Sequence, residues 1–150
     1  MDEIDKKILN ALQKNAKLNM KELADELNIS RSPLYERVKR LEESGYISHY
    51  SAILNKTKIG KPLTVFCKIG IQMCDHESYA QIIQELLKLD EVAECYSVAG
   101  DYELFIKVIV KDIEAYEHFR FEKLTTLSGL AKLDSQVMIH EFKCSTFIKL

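Results

Sequence analysis

The chain has 150 residues, 47% hydrophobic and 29% charged, with a net charge of −2; that is globular composition, which excludes a fibre or a disordered tail and leaves room for one ordinary domain or two small ones. Its apolar runs, such as Leu104-Phe105-Ile106 and Val108-Ile109-Val110, fall far short of the roughly 18 residues that a membrane span needs. The opening Met1-Asp2-Glu3-Ile4-Asp5 lacks the layout of a signal peptide, so a cytoplasmic protein with no membrane partner is expected.

Three helices are predicted in the first 45 residues. Asp2 is placed to cap the first, with Asp5 favouring its positive end and Ile4, Ile8, Leu9 and Leu12 on one stripe. Asn19 and Glu22 make a capping-box-like start for a second, which carries Leu23, Ala24 and Leu27. Asn28-Ile29 is a tight turn. Ser30 is expected to cap a third helix, with Pro33 in its first turn and Gly45 as its stop. Two helices joined by so short a turn, behind a supporting helix, make a helix-turn-helix.

On the third helix Leu34, Val38 and Leu41 face a core, while Arg31, Ser32, Tyr35, Glu36, Lys39 and Arg40 lie off it. A recognition helix reads bases from its N-terminal half, so Arg31, Ser32, Tyr35 and Glu36 are candidate base readers of double-stranded DNA. Lys39 and Arg40 are placed for phosphates. Arg37 projects only about 60° from the core direction and is read as structural, pairing with an acid. A solvated charged face is the competing reading of this helix; the three capped helices and their turn favour DNA. Residues 31–58 hold six basic and three acidic side chains, a mild excess that proves nothing alone.

Tyr46 to Leu54 reads as a short strand or wing, with His49 and Tyr50 able to reach a DNA backbone but better suited to packing. Polar residues 55–62, with Gly60 and Pro62, read as a hinge. The domains are therefore expected at 1–54 and 63–150.

From Leu63 the period becomes two: Leu63, Val65, Cys67, Ile69, Ile71 and Met73 alternate with Thr64, Phe66, Lys68, Gly70 and Gln72. A helix is predicted over 76–89 with Tyr79, Ile82, Ile83, Leu86 and Leu87 inward. Strands follow over 92–98 and 103–110, a helix over 113–127 and a last strand over 135–142. The order βαββαβ is the ferredoxin-like plan, and the fold class is α+β. Phe66, Phe105 and Ile109 fall on the sheet face opposite the helices, which suggests cover by a second subunit and hence at least a homodimer. Cys67, Cys74, Cys95 and Cys144 form no C-x-x-C pair and His49, His76, His118 and His140 are scattered; free thiols are expected, with no metal site and no cofactor.

Two stretches resemble the Lrp/AsnC (feast/famine) transcription regulators. The first is Asp2-x-x-Asp5-x-x-Ile8-Leu9-x-x-Leu12-Gln13-x-Asn15-Ala16, then Glu22-Leu23-Ala24, Leu27-x-Ile29-Ser30 and Arg37-Val38-x-Arg40-Leu41-Glu42-x-x-Gly45-x-Ile47. The second is Gly100-Asp101-Tyr102, with Ser128-Gly129-Leu130-Ala131-Lys132 before the last strand. The resemblance spans about residues 2–143. It implies a DNA-binding regulator built of homodimers, often octamers, with an amino-acid effector bound between dimers. By position it implies that Gly100, Asp101, Tyr102 and Glu103 border the effector site, and that Ser135 stands where a threonine is usual. Glu103 replaces the more usual Asp and Leu130 the usual Val. Without the resemblance, Gly100-Asp101 reads as a hairpin turn. The alternatives are a sensor or scaffold that no longer binds DNA, and a haem-pathway decarboxylase on the same architecture; no nucleophile–base pair supports an enzyme.

Overall fold

The first two helices of the first unit begin at a side-chain cap, and all three bury one apolar stripe. The computed structural model describes residues 1–72 and 75–150, so Met73 and Cys74 of the expected first strand lie outside the described residues. Helix α1 (Glu3–Lys14) opens on a reciprocal capping box: Asp5 N–H donates to Asp2 at 2.8 Å and Asp2 N–H donates to Asp5 at 3.0 Å. Helix α2 (Met20–Glu26) is capped by Asn19, which accepts from Lys21 N–H at 2.9 Å. Helix α3 (Arg31–Glu43) follows a turn in which Asn28 takes the left-handed conformation, φ 54°. The expected cap at Ser30 is absent: its side chain accepts no backbone bond. Past the end of α3, Tyr46 N–H reaches the Leu41 carbonyl across Gly45, φ 74°. Ile8, Leu9, Leu12, Leu23, Ala24, Leu34, Val38 and Leu41 form the core of this head.

Residues 46–54 form no strand, contrary to expectation. Among the described residues the first unit contains no strand for them to pair with, and Ile53 and Leu54 stay exposed. The expected hinge is an ordered turn: Asn55 accepts from Lys58 N–H at 3.0 Å and Lys61 N–H donates to the Lys56 carbonyl at 2.9 Å. Two compact units result, one of residues 1–53 with 142–150 and one of 54–141. Residues 142–150, in the stretch expected to form the second domain, pack within the first compact unit.

The second unit is the expected βαββαβ arrangement: β1 (Leu63–Ile71), α4 (His76–Leu86), β2 (Val92–Ser97), β3 (Leu104–Val110), α5 (Ile113–Phe119) and β4 (Leu130–Val137). Strand order is β2-β3-β1-β4 and every pairing is antiparallel. Val65, Cys67 and Ile69 of β1 and Leu104, Ile106, Val108 and Val110 of β3 bury against Ile82, Leu86, Tyr116, Phe119 and Leu124, so both helices lie on one face. Leu87, expected inward, is exposed just past the end of α4. After α5 the helix widens into one five-residue turn (Arg120–Leu124), in which Thr125 N–H reaches back to Arg120. β4 begins five residues earlier than expected, because it pairs with β1 from Ile71↔Leu130 to Val65↔Val137.

Candidate DNA interface and sensor site

Helix α3 is set by charge on one side and free on the other. Asp5, 2% exposed, receives Arg37 Nη1 at 2.7 Å and Arg40 Nη2 at 3.0 Å on both carboxylate oxygens. Arg37 also reaches Asp2 at 2.6 Å. Burial alone would raise the Asp5 carboxyl, but the Asp2 N–H and the Arg37 guanidinium outweigh it and hold Asp5 below the usual carboxylate range. Bonds to Asp2, then Asp5, hold Arg37 above its ordinary value. Arg37 is thus the acid-paired structural arginine that its position on the helix implied.

Arg31, Ser32, Tyr35, Glu36 and Lys39 are all exposed on α3, while Leu34, Val38 and Leu41 are buried beneath them. Lys39 meets only a loose pairing with Glu43 at 3.6 Å. Arg40, expected to serve phosphate alone, is anchored by one nitrogen on Asp5; its side chain remains 58% exposed. Tyr50 donates to Glu42 at 2.8 Å, and burial with this bond pushes its hydroxyl up to about 12. Its hydroxyl is engaged in packing the head.

In the second unit the motif residues separate. Gly100 has φ 145°, a backbone that favours glycine, with open space where a Cβ would stand. Asp101 is exposed beside it. The Tyr102 ring lies 4.2 Å from Lys132 Nζ and 5.9 Å from Lys68 Nζ. Glu103 accepts from Ile71 N–H at 2.7 Å, which satisfies the end of β1. One of its two carboxylate oxygens is thereby bonded to the sheet. Ser135 pairs across from Cys67 on the helix-facing side and accepts the Tyr116 hydroxyl proton, with Cys67 Sγ 3.3 Å from that same hydroxyl. Ser135 is thereby part of this core network.

On the opposite sheet face Phe66 and Phe105 stack with centroids 5.6 Å apart, and Ile109 is half-buried on the same face. Lys107–Glu94 at 2.8 Å and Lys68–Asp134 at 3.6 Å border them. Cys67, Cys95 and Cys144 are free thiols, the last exposed. Among the described residues no group of His, Cys, Asp and Glu is arranged to hold a metal ion, and no helix is long and apolar enough to cross a membrane.

Residues 1–48 match the model of the winged helix-turn-helix DNA-binding family, and residues 64–148 match that of the Lrp/AsnC ligand binding domain. The chain belongs to the Lrp/AsnC family. It is 35% identical over 145 residues to the leucine-responsive regulatory proteins of Klebsiella pneumoniae and Escherichia coli, covering 97% of this chain and 88% of theirs. A transcriptional regulator of Neisseria meningitidis solved with L-methionine superposes with a TM-score of 0.94 at 27% identity, over 100% of this chain and 96% of that one. E. coli AsnC gives 0.90 at 26%, over 98% and 97%. This Lrp/AsnC chain is accordingly a transcription regulator with a helix-turn-helix DNA-binding unit and a ligand-binding domain.

Two parts of this Lrp/AsnC framework escaped the sequence. Asp5 was legible as a capping residue, yet its burial under two arginines depends on how α3 crosses α1. The Tyr116–Ser135–Cys67 network joins three elements, and no local pattern marks it.

Proposed function

We propose that Arg31, Ser32, Tyr35 and Glu36 read base edges, with Lys39 and the free part of Arg40 on phosphates. The observation that carries this reading is the row of exposed polar side chains on α3 directly above Leu34, Val38 and Leu41. The effector is a free amino acid with an apolar side chain, a class supported by relatives named leucine-responsive or solved with L-methionine. It binds beside Gly100, Asp101 and Tyr102. Because Glu103 is engaged with Ile71, Asp101 is the acid left to meet an ammonium, and Lys132 at the Tyr102 ring supplies charge for a carboxylate. Homodimers form through the Phe66, Phe105 and Ile109 face and assemble further, to octamers. The protein works in the cytoplasm and is not an enzyme.

The test is footprinting of the gene's own upstream duplex, with calorimetry of the twenty amino acids against wild type and Asp101→Asn. Tyr35→Ala should cut preference for the cognate site over scrambled DNA by roughly 1–3 kcal/mol. Equal losses on both duplexes would remove Tyr35 from base reading. Binding of an amino acid unchanged by Asp101→Asn would move the effector site elsewhere.

A further inference from the structure

Ile148 and Leu150 are held by their backbone. Gln13 Nε2 donates to the Ile148 carbonyl at 2.8 Å, and Ile148 N–H donates back to Gln13 Oε1 at 2.7 Å. Asn10 repeats the pattern on Leu150 at 3.3 and 3.4 Å. A carboxamide that both donates to and accepts from one residue imitates a strand edge, and Ile148 and Leu150 have the two-residue spacing such an edge reads. Beside the tail lies a cavity of about 560 Å³, lined in part by Leu9, Leu12, Tyr46, Ile47, Ile148 and Leu150. Residues 142–150 are part of the head's compact unit.

We infer that residues 146–150 are a latch: a segment of the same chain, seated on α1 by Asn10 and Gln13 through the backbone of Ile148 and Leu150, that keeps α3 set for DNA. Helix α1 is the link. Its first turn holds Arg37 and Arg40 of α3 through Asp2 and Asp5, and its later turns hold the tail. Releasing the tail uncovers the cavity beside Leu9 and Leu12 and leaves the end of α1 to fray. That order must then be restored when DNA binds, which lowers affinity without altering base preference. The inference rests on assigning α3 to DNA.

Gln13→Glu in the full chain tests it. A carboxylate still accepts from Ile148 N–H but cannot donate to the carbonyl, which it repels. Gln13 is exposed, so the head should stay folded, and Lys14→Ala, also exposed, is the control. Chymotrypsin should cut after Phe147 about tenfold faster in Gln13→Glu than in wild type or the control. Affinity for cognate and scrambled duplexes should fall alike, by about five- to tenfold. Equal cutting rates would show that the tail is not seated, and unchanged DNA affinity would break its link to α3. Wild-type cutting that accelerates on dilution would mean that the segment comes from a second copy, which overturns a latch within one chain. A wild type that binds no duplex would overturn the DNA assignment and the inference with it, whereas a wild type that binds as tightly as Gln13→Glu overturns the inference alone.

Discussion

The two units use polar residues in opposite ways. In the head, Asp2, Asp5 and Arg37 join α1 to α3, and the outward face of α3 has almost no structural employment; Lys39 has only a loose pairing with Glu43. In the sheet unit the motif residues are largely consumed by the framework: Glu103 by Ile71, Ser135 by Tyr116, and Tyr102 by two lysines. An exposed side chain with no structural partner is free to meet a ligand, whereas one already bonded must give something up first. The head therefore exposes its proposed reading face in the single chain, while the sheet unit exposes mainly Asp101 and the Gly100 turn of its proposed effector site.

Three substitutions sharpen or break that contrast. The largest effect is expected from Phe105→Lys, which puts an ammonium on the Phe66 ring stack. It should weaken a dimer through that face by several kcal/mol and shift sedimentation to monomer. A dimer that survives unchanged would place the interface off this face.

Asp5→Asn comes next. Losing a buried carboxylate that serves two partly exposed arginines should destabilise the head by about 2–3 kcal/mol in urea at pH 7. Because the folded Asp5 lies below its ordinary value of 3.8, its stabilisation is full above that value and is lost as pH falls through the lower, folded one. The gap between wild type and variant should therefore narrow below about pH 4. An equal gap at pH 7 and in acid would show that Asp5 acts by shape and not by charge.

Lys39→Ala should do least. Its exposed pairing with Glu43 predicts a stability change under about 0.5 kcal/mol. Its log–log salt slope for DNA should still drop by about one unit, on cognate and scrambled duplexes alike. An unchanged slope would take Lys39 off the phosphate backbone.

Legibility in the sequence followed the same division. The helices of the head and the exposed row on α3 were readable because caps and apolar stripes are local, and a helix face follows from spacing. The chain order βαββαβ was readable from the period-two runs and the helical stripes between them, and the two-helix face followed from that plan. What failed was pairing at a distance. Residues 46–54 have strand composition but no strand beside them, and β4 was displaced because its register is set by β1 and not by its own pattern. Ser135 was carried over by position alone, and its side of the strand follows only from the pairing with Cys67.

The head is also not one continuous stretch of the chain. Its first 53 residues and its last nine enclose the whole of the other unit, residues 54–141. In topological terms residues 54–141 are inserted within the first compact unit. A chimera made with a single crossover near residue 54 would transplant that unit without the strand of chain that lies against α1 at Gln13 and Asn10. Exchange of this head between regulators therefore takes two junctions, one near residue 54 and one near residue 141.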